Sequence, residues 1–160
     1  MNGNQVKTRV LHYWRYTRRG YDCIATEAGK FKSDVLVSNG KEIIECETKI
    51  SRADLRNDFK KKKHGIYQKP STWYSKWIPN KFYFAVPENL VDYAVELSED
   101  YGYGVIKVMD KKITNNRKDI FCSIIKNADT LHSKFKTKLH RQIVLRESSE
   151  LVRLRMKLYD

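Results

Sequence analysis

Apolar residues recur along the chain at two spacings, which predict helices in some segments and strands in others. Val6, Val10 and Trp14 recur at helical spacing among basic residues, so residues 5–19 are expected to form a basic amphipathic helix that ends at Gly20. Short apolar runs then predict three strands, and Asn39-Gly40, between the second and the third, is a strong hairpin signal. These strands are expected at residues 21–27, 34–38 and 42–49.

The second half of the chain alternates helical and extended patterns. Ser51 is a candidate N-cap for a helix over residues 51–67, which an irregular aromatic loop at 68–80 follows. From about residue 133 to 159 the pattern is helical, and Ser148 with Ser149 marks a candidate break. The remaining predicted elements are strands at 81–87, 104–109 and 120–125, a helix at 89–99 and a polar turn at 111–118.

The order of these elements is helix, three-strand meander, helix, strand, helix, strand, which is typical of a sheet flanked by helices. The sequence shows no internal repeat and no low-complexity linker. We therefore expect one domain over residues 1–160, with a core at about 5–110 and a basic extension of strand and helix at about 111–160.

The charge balance points to a polyanionic partner. The chain has 32 lysines and arginines against 19 acidic residues, a net charge of +13, which makes nucleic acid the first candidate. No apolar run has the length of a membrane span, and the N-terminus carries no apolar signal segment. We therefore expect a cytoplasmic protein that does not bind membranes.

The cysteines and histidines do not indicate a metal site. The three cysteines are widely spaced and form no CxxC pair, so reduced thiols are expected. The four histidines show no HExxH spacing and are expected to serve as surface or packing residues.

The third predicted strand carries too many charges for an apolar strand. Ile43, Glu45, Glu47 and Lys49 share one face because side chains alternate along a strand. Buried charge is costly unless the groups are paired, bind metal or become neutral. One explanation is an ion pair between Glu47 and Lys49 on an exposed edge, and the other is a catalytic site.

Further acids stand at neighbouring strand ends. Glu27 ends the first predicted strand, Asp34 begins the second, and Glu47, Thr48 and Lys49 end the third. Tight turns between antiparallel strands can bring these ends together, and carboxylate oxygens suit Mg²⁺ or Mn²⁺.

These residues resemble the motif of the PD-(D/E)XK nuclease superfamily. The likeness is carried by Ser33-Asp34 and, after a hairpin, Glu47-Thr48-Lys49. The spacing from Asp34 to Glu47, with two strands joined by Asn39-Gly40, is similar to that of archaeal Holliday-junction resolvases. The continuation is more similar to a bacterial DNA-repair branch of the superfamily, and the likeness covers residues 20–110. The matching positions in that continuation are Ser51, Asp54, Leu55, Asp58, Lys60 and the strand at 82–87.

The resemblance implies an α/β fold with a restriction-endonuclease-like αβββαβ core, in which helices flank a mixed sheet and a C-terminal helical extension follows. It also implies hydrolysis of DNA phosphodiester bonds with Mg²⁺ or Mn²⁺. Asp34 and Glu47 would ligate the metal with the Thr48 carbonyl, and Lys49 would orient the attacking water and stabilise negative charge. Glu27 would be a third catalytic acid. Glu45 shares the face of Glu47 but lies two residues further from Lys49, so it is expected either to support the site without contacting metal or substrate or to face solvent.

Two features depart from the superfamily pattern. Ser33 stands where the motif has proline, a position that contributes little to the chemistry. The first helix has no acid between Val6 and Arg19, where resolvases and many nucleases carry a glutamate. The second departure shifts the role of third acid onto Glu27.

Several residues are candidates for contact with nucleic acid. The basic run can track phosphates or form a solvated helix face, and the loop aromatics can stack on unpaired bases or cap the core. The candidates are Arg52, Arg56, Lys60, Lys61, Lys62, Lys63, Trp73 and Trp77.

Three functions follow as hypotheses. The first is a Mg²⁺-dependent deoxyribonuclease, an endonuclease in repair, recombination or a mobile element. The second is a nuclease-fold module that binds nucleic acid or a protein partner without cleaving, and the third is a basic structural protein associated with RNA. Oligomeric state stays open, and a homodimer would supply the two active sites that double-strand cleavage needs.

Overall fold

One mixed sheet of six strands forms the centre of the protein, and its strands lie in the sheet in the order of the chain. The computed structural model describes residues 1–114 and 116–159. Asn115, within the predicted polar turn at 111–118, and Asp160 lie outside the described residues. The strands are β1 (Cys23–Ala28), β2 (Ser33–Ser38), β3 (Ile43–Thr48), β4 (Lys81–Pro87), β5 (Gly104–Val108) and β6 (Cys122–Lys126).

In the part of the chain that the structure describes, five α-helices surround the sheet. A π-helical segment, Tyr13–Thr17, continues the first of them, and short 3₁₀ turns lie at Ser75–Trp77, Glu88–Leu90 and Glu99–Tyr101. The helices are α1 (Gly3–His12), α2 (Arg52–Asp58), α3 (Lys62–Gln68), α4 (Val91–Ser98) and α5 (Thr137–Tyr159).

The sheet changes from antiparallel to parallel pairing at β3. The strands β1, β2 and β3 pair antiparallel, as short turns allow, whereas β3, β4 and β5 pair parallel. Parallel neighbours need crossover connections, which α2 with α3 and then α4 supply. The prediction of an α/β fold with a mixed sheet, flanking helices and a C-terminal helix is therefore confirmed, with two helices instead of one between β3 and β4 of the αβββαβ core.

Helices cover both faces of the sheet. On one face, Val6, Val10 and Trp14 of the N-terminal helical segment pack on alternate strand residues that include Val35 and Cys46. On the other face, α2, α3 and α4 pack on β4 and β5, and α5 packs on β1 and β2. The second face includes Ile43 of β3, so Glu45 and Glu47 project toward α2 and α3.

Asn80 connects three segments at the start of β3 and β4. Its side-chain oxygen accepts a hydrogen bond from Ile43 N at 2.8 Å, and its backbone N–H donates to Ile43 O at 2.8 Å. Its side-chain amide donates to the carbonyl of His132 at 2.7 Å. Asn80 thereby joins both strands to the segment that leads into α5.

The predicted single helix at 51–67 was wrong. The chain forms α2 and α3 instead, because Lys61 adopts an extended backbone with ψ of 137° between them. Lys61 N still donates to Asp58 O at 2.9 Å, so a tight turn joins the helices. This turn redirects α3 so that Lys63 and His64 are buried.

The C-terminal helix is continuous, so the candidate break at Ser148 and Ser149 is not realised. Both hydroxyls donate to the carbonyl of Leu145, at 3.0 and 2.8 Å, which satisfies them within the helix. The helix begins at Thr137 rather than at residue 133, and β1 begins at Cys23 rather than at residue 21. Among the described residues, no helix is long and apolar enough to cross a membrane.

Candidate functional site

The acidic residues gather where β2 begins and β3 ends. Val35 pairs with Cys46, so Asp34 and Glu47 stand opposite each other one step further along the two strands. Asp34 Oδ2 accepts hydrogen bonds from Thr48 N at 2.9 Å and from Thr48 Oγ1 at 2.8 Å. The hairpin therefore brings Asp34, Glu47 and Thr48 together, as the sequence predicts.

Asp34 is ionised in this environment. Burial alone would raise the pKa of its carboxyl group, but the hydrogen bonds from Thr48 and the charges of Lys7 and Lys49 outweigh burial and lower the pKa. The carboxylate is thus available as an anionic ligand or partner at neutral pH.

Lys7 contacts both Glu27 and Asp34. Its ammonium lies 2.5 Å from Glu27 Oε1 and 3.2 Å from Asp34 Oδ1. Burial would lower the pKa of Lys7, but the hydrogen bond to Glu27 and the charge of Asp34 raise it. Glu27 itself has a left-handed backbone with φ of 49° and a side chain that is 46% exposed. The structure therefore brings Glu27 to Asp34 through a lysine that the sequence pattern did not single out.

Lys49 lies between two carboxylates. Its ammonium is 3.0 Å from Glu47 Oε2 and 2.7 Å from Asp58 Oδ1. Burial alone would lower the pKa of Lys49, but the charges of Glu47 and Asp58 outweigh burial and raise the pKa. Lys49 is consequently a cation at neutral pH.

Lys63 is the most deeply buried of these lysines. Its side chain is 3% exposed, and its ammonium lies 2.8 Å from Glu45 Oε1 and 2.5 Å from Glu47 Oε1. Burial would lower the pKa of Lys63, but the charges of Glu45 and Glu47 raise it. The expectation that Lys63 contacts nucleic acid is wrong for this reason: its charge is used inside the protein.

Glu45 is part of the same buried network, so of its two expected positions the supporting one is realised and the solvent-facing one is not. It is 1% exposed, and Tyr67 donates its hydroxyl hydrogen to Glu45 Oε2 at 2.5 Å. Burial and the charge of Glu45 raise the pKa of Tyr67 well above its ordinary value, so the hydroxyl stays protonated as a donor. Glu45 therefore fixes Lys63, which in turn fixes Glu47.

Asp58 anchors the other side of Lys49. Its Oδ2 lies 2.8 Å from His64 Nε2, and His64 Nδ1 lies 2.8 Å from the Tyr103 hydroxyl. Burial would raise the pKa of Asp58, but the hydrogen bond with His64 and the charges of Lys63 and Lys49 lower it well below the ordinary value.

Lys61 is a fourth lysine in contact with these carboxylates, and its side chain is half-exposed. Its ammonium lies 2.5 Å from Asp58 Oδ1 and 3.6 Å from Glu47 Oε2.

The charges of this cluster nearly cancel. It holds five carboxylates and four ammonium groups, a difference of one negative charge when His64 is neutral. The carboxylates are Glu27, Asp34, Glu45, Glu47 and Asp58, and the ammonium groups are those of Lys7, Lys49, Lys61 and Lys63.

Asp34, Glu47 and the Thr48 carbonyl supply the hard oxygen atoms that Mg²⁺ and Mn²⁺ prefer. In the described residues, no group of three or more His, Cys, Asp or Glu side chains is arranged to hold a metal ion. A metal bound between Asp34 and Glu47 would take the place of an ammonium group on at least one of them, because lysines contact both. The donor atoms are of the kind that a divalent cation takes, and lysines occupy the two carboxylates in this structure.

The other predicted contact residues divide between surface and interior. Arg52, Arg56, Lys60, Lys61 and Lys62 are exposed on α2, α3 and the turn between them. Trp73 is also exposed, at 71% of its surface. Trp77 instead packs on the cluster that contains Leu139 of α5, as the core-capping alternative anticipates.

Comparisons with known proteins support the fold only. No protein-family model matches the chain, and no curated protein matches it. The solved structure of SPO1766, a protein of unknown function from Silicibacter pomeroyi, is similar with a TM-score of 0.61 and 20% sequence identity. That similarity covers 100% of this chain and 93% of the other.

Proposed function

We propose that this protein is a metal-dependent nuclease that hydrolyses DNA phosphodiester bonds, an endonuclease of repair, recombination or a mobile element. The observation that carries the proposal is the convergence of Asp34, Glu47 and Lys49 at the ends of β2 and β3, with Lys49 Nζ 3.0 Å from Glu47 Oε2. The net charge of +13 supports a polyanionic substrate. Under this proposal the protein acts in the cytoplasm. It acts as a homodimer if it cuts both strands of a duplex, because each strand needs an active site.

Asp34, Glu47 and the Thr48 carbonyl would hold Mg²⁺ or Mn²⁺. When bound, the metal would polarise the phosphate and lower the pKa of a water molecule. Lys49, whose pKa is raised, acts as a hydrogen-bond donor that orients this water and stabilises negative charge on the phosphate. It does not act as a general base, because it holds its proton at neutral pH.

The surrounding network positions these groups. Lys63 and Glu45 fix the side chain of Glu47, and Asp58 fixes Lys49 from the opposite side. His64 and Tyr103 hold Asp58 in turn. Lys61 contacts Asp58 and Glu47 and is one of five exposed cations on α2, α3 and the turn between them. These cations provide the electrostatic attraction that backbone phosphates require, and they are Arg52, Arg56, Lys60, Lys61 and Lys62.

The test is incubation with plasmid, single-stranded and branched DNA, and with RNA, in Mg²⁺, Mn²⁺ or EDTA. We expect metal-dependent cleavage of DNA that is lost in Asp34→Asn and Glu47→Gln. Lys41→Met, a change at an exposed residue in the hairpin turn, is the control and should cleave normally. Cleavage that survives EDTA, or that persists in both carboxylate variants, would overturn the proposal.

One observation favours a non-cleaving nuclease-fold module as the alternative. Both oxygens of Asp34 and both of Glu47 already have partners, from Lys7, Thr48, Lys63 and Lys49. An arrangement that neutralises its acids with lysines can bind nucleic acid without metal. DNA binding with no cleavage of any substrate, and no Mn²⁺ binding by calorimetry, would favour this alternative.

A further inference from the structure

Trp73 is a large aromatic side chain that the fold leaves outside the core. Its exposed fraction of 71% contrasts with that of Trp14, which is 1% exposed. Tryptophan contributes most to stability when its large surface is buried, so an exposed tryptophan on a fixed loop is available for an intermolecular contact.

The loop that carries Trp73 is held by its own hydrogen bonds. Ser71 O accepts from Tyr74 N at 3.2 Å and from Ser75 N at 3.0 Å. The Ser75 hydroxyl donates to Thr72 O at 2.9 Å, and Trp77 N donates to Tyr74 O at 2.9 Å. The ring is therefore presented on a turn with a defined backbone, which lowers the entropy lost when a ligand binds.

Positive charge accompanies the aromatic rings of this loop. Lys76 Nζ lies 4.6 Å from the ring centroid of Trp73 and 5.9 Å from that of Trp77. Lys138 Nζ, from α5, lies 5.2 Å from the ring of Trp77. Aromatic faces beside cations are the combination that binds single-stranded nucleic acid, by stacking on bases and by attraction to phosphates.

Ring contacts link this loop to the carboxylate cluster. Tyr74 stacks on Phe31 with 6.5 Å between centroids, and Phe31 meets the edge of Tyr67 at 5.8 Å. Tyr67 is the residue that donates to Glu45. Lys62, next to the buried Lys63, places its ammonium 5.7 Å from the Tyr74 ring. Because Tyr67 is only 2% exposed, these contacts run through the interior and pack the loop against the elements that hold the carboxylate cluster.

We propose that Trp73 and Lys76 form a stacking site for an unpaired base of DNA, so that single-stranded DNA, or DNA with unpaired nucleotides, is the substrate class. In a duplex each base already stacks on its neighbours, so it offers no free face to Trp73, whereas an unpaired base does. The substrate class rests on the proposed nuclease function, because it concerns which DNA is cut. The stacking site requires only that the protein binds DNA.

The experiment measures binding by fluorescence anisotropy in EDTA, where no cleavage occurs. The probes are an oligothymidylate, the same backbone with abasic positions, and a duplex of equal length. We expect Trp73→Ala to weaken binding of the oligothymidylate by about tenfold, the loss of one stacked base, and to leave duplex binding unchanged. Trp73→Phe should retain most of the affinity, and Lys76→Ala should reduce the salt dependence of binding by about one ion.

Tyr159→Ala is the matched control, because it removes an aromatic ring that is 76% exposed far along the chain. Thermal melts of each variant separate lost binding from lost folding. The inference is overturned if the wild type binds abasic and normal strands equally, or if Trp73→Ala weakens single-strand and duplex binding alike or not at all.

The two proposals fail in different measurements. Loss of single-strand preference in Trp73→Ala with no cleavage by the wild type would keep the stacking site and remove the nuclease. Metal-dependent cleavage that is lost in Glu47→Gln, but without any effect of Trp73→Ala on strand preference, would keep the nuclease and remove the stacking site.

Discussion

Lys63 Nζ lies 2.5 Å from Glu47 Oε1, and both side chains are almost completely buried, at 3% and 4% exposure. The same ammonium lies 2.8 Å from Glu45 Oε1, so Lys63 connects α3 to β3 and gives both buried glutamates of this otherwise apolar strand a cationic partner. Buried ion pairs contribute little net stability compared with apolar replacements, but removal of one partner leaves an unpaired buried charge.

We predict that Lys63→Met strongly destabilises the protein. Glu45 and Glu47 would lose their shared cation in a buried site, a change that costs about 3–5 kcal/mol in the free energy of unfolding. Urea unfolding measures the loss. Lys62→Met, at the exposed neighbouring position, is the control and should differ from the wild type by less than about 0.5 kcal/mol. Equal effects of the two changes would contradict the assignment of Lys63 to the buried network.

Acid should unfold the protein through Asp34 and Asp58. Both have a pKa in the folded state below the unfolded value of about 3.9, so the stability they contribute is present above that pH and is lost as the pH falls below it. Urea unfolding from pH 6 to pH 2 should show a free energy of unfolding that is nearly level above about pH 5 and declines steeply below about pH 4. Asp58→Asn should be less stable at pH 6 and decline less steeply, and an unchanged slope would contradict the prediction.

Lys7 should compete with metal. Removal of its charge in Lys7→Ala frees Asp34 and Glu27, and a unit charge about 4 Å away is worth roughly 1–4 kcal/mol. We therefore expect the Kd for Mn²⁺, measured by calorimetry, to fall by at least about fivefold. Lys41→Ala is the control for loss of a surface charge, and a Kd that is unchanged or higher in Lys7→Ala would refute the role of Lys7.

Lys49→Met should separate metal binding from catalysis. The change removes a cation from Glu47, so Mn²⁺ binding should be retained or strengthened, whereas kcat should fall by about 10²–10³ because a donor to the reacting phosphate is lost. A variant that loses both Mn²⁺ binding and cleavage would show that Lys49 is needed for the structure of the site instead.

Alanine substitutions at Gly104 and Gly65 should change the free energy of unfolding in opposite directions. A Cβ at Gly104 would overlap the ring of Tyr83 and stand 2.8 Å from Ala128 N, so Gly104→Ala should lower the free energy of unfolding by more than 1 kcal/mol. A Cβ at Gly65 meets nothing within 4 Å, so Gly65→Ala in α3 should stabilise the protein by about 0.5–1 kcal/mol. Thermal or urea unfolding of the pair measures both signs, and the same sign for both would be inconsistent with the packing described.

The sequence predicts the strands well because their apolar runs end at clear turn signals. Asn39 with Gly40 fixes the hairpin, and once the hairpin is set, Asp34 must face Glu47. The turn between α2 and α3 could not be predicted in this way, because helical spacing continues through residues 51–67. Its cause is tertiary: Lys63 turns inward only where Glu45 and Glu47 offer it a partner.

Sequence pattern also fails to distinguish residues of the same type that lie close together in the chain but differ in burial. Lys62 and Lys63 are adjacent and chemically identical, yet one is exposed and the other is 3% exposed. Trp73 and Trp77 likewise lie in one irregular loop, and only the packing of α5 decides that Trp77 is the one partly covered. Local pattern contains no information about such partners when they are distant in the chain.

The hydrogen bonds of Asn80 have a consequence for how the protein can fail. Because side chains alternate along a strand, a shift of β3 by one residue would turn Glu45 and Glu47 toward the apolar residues of the N-terminal helical segment, including Val6 and Trp14. Asn80 holds Ile43 by two hydrogen bonds and so excludes that register. The carboxylate cluster can therefore assemble only when β3 is in the correct register. A substitution at Asn80 that removes these hydrogen bonds would lower the fraction of correctly folded protein, and the correctly folded molecules would keep an unchanged site.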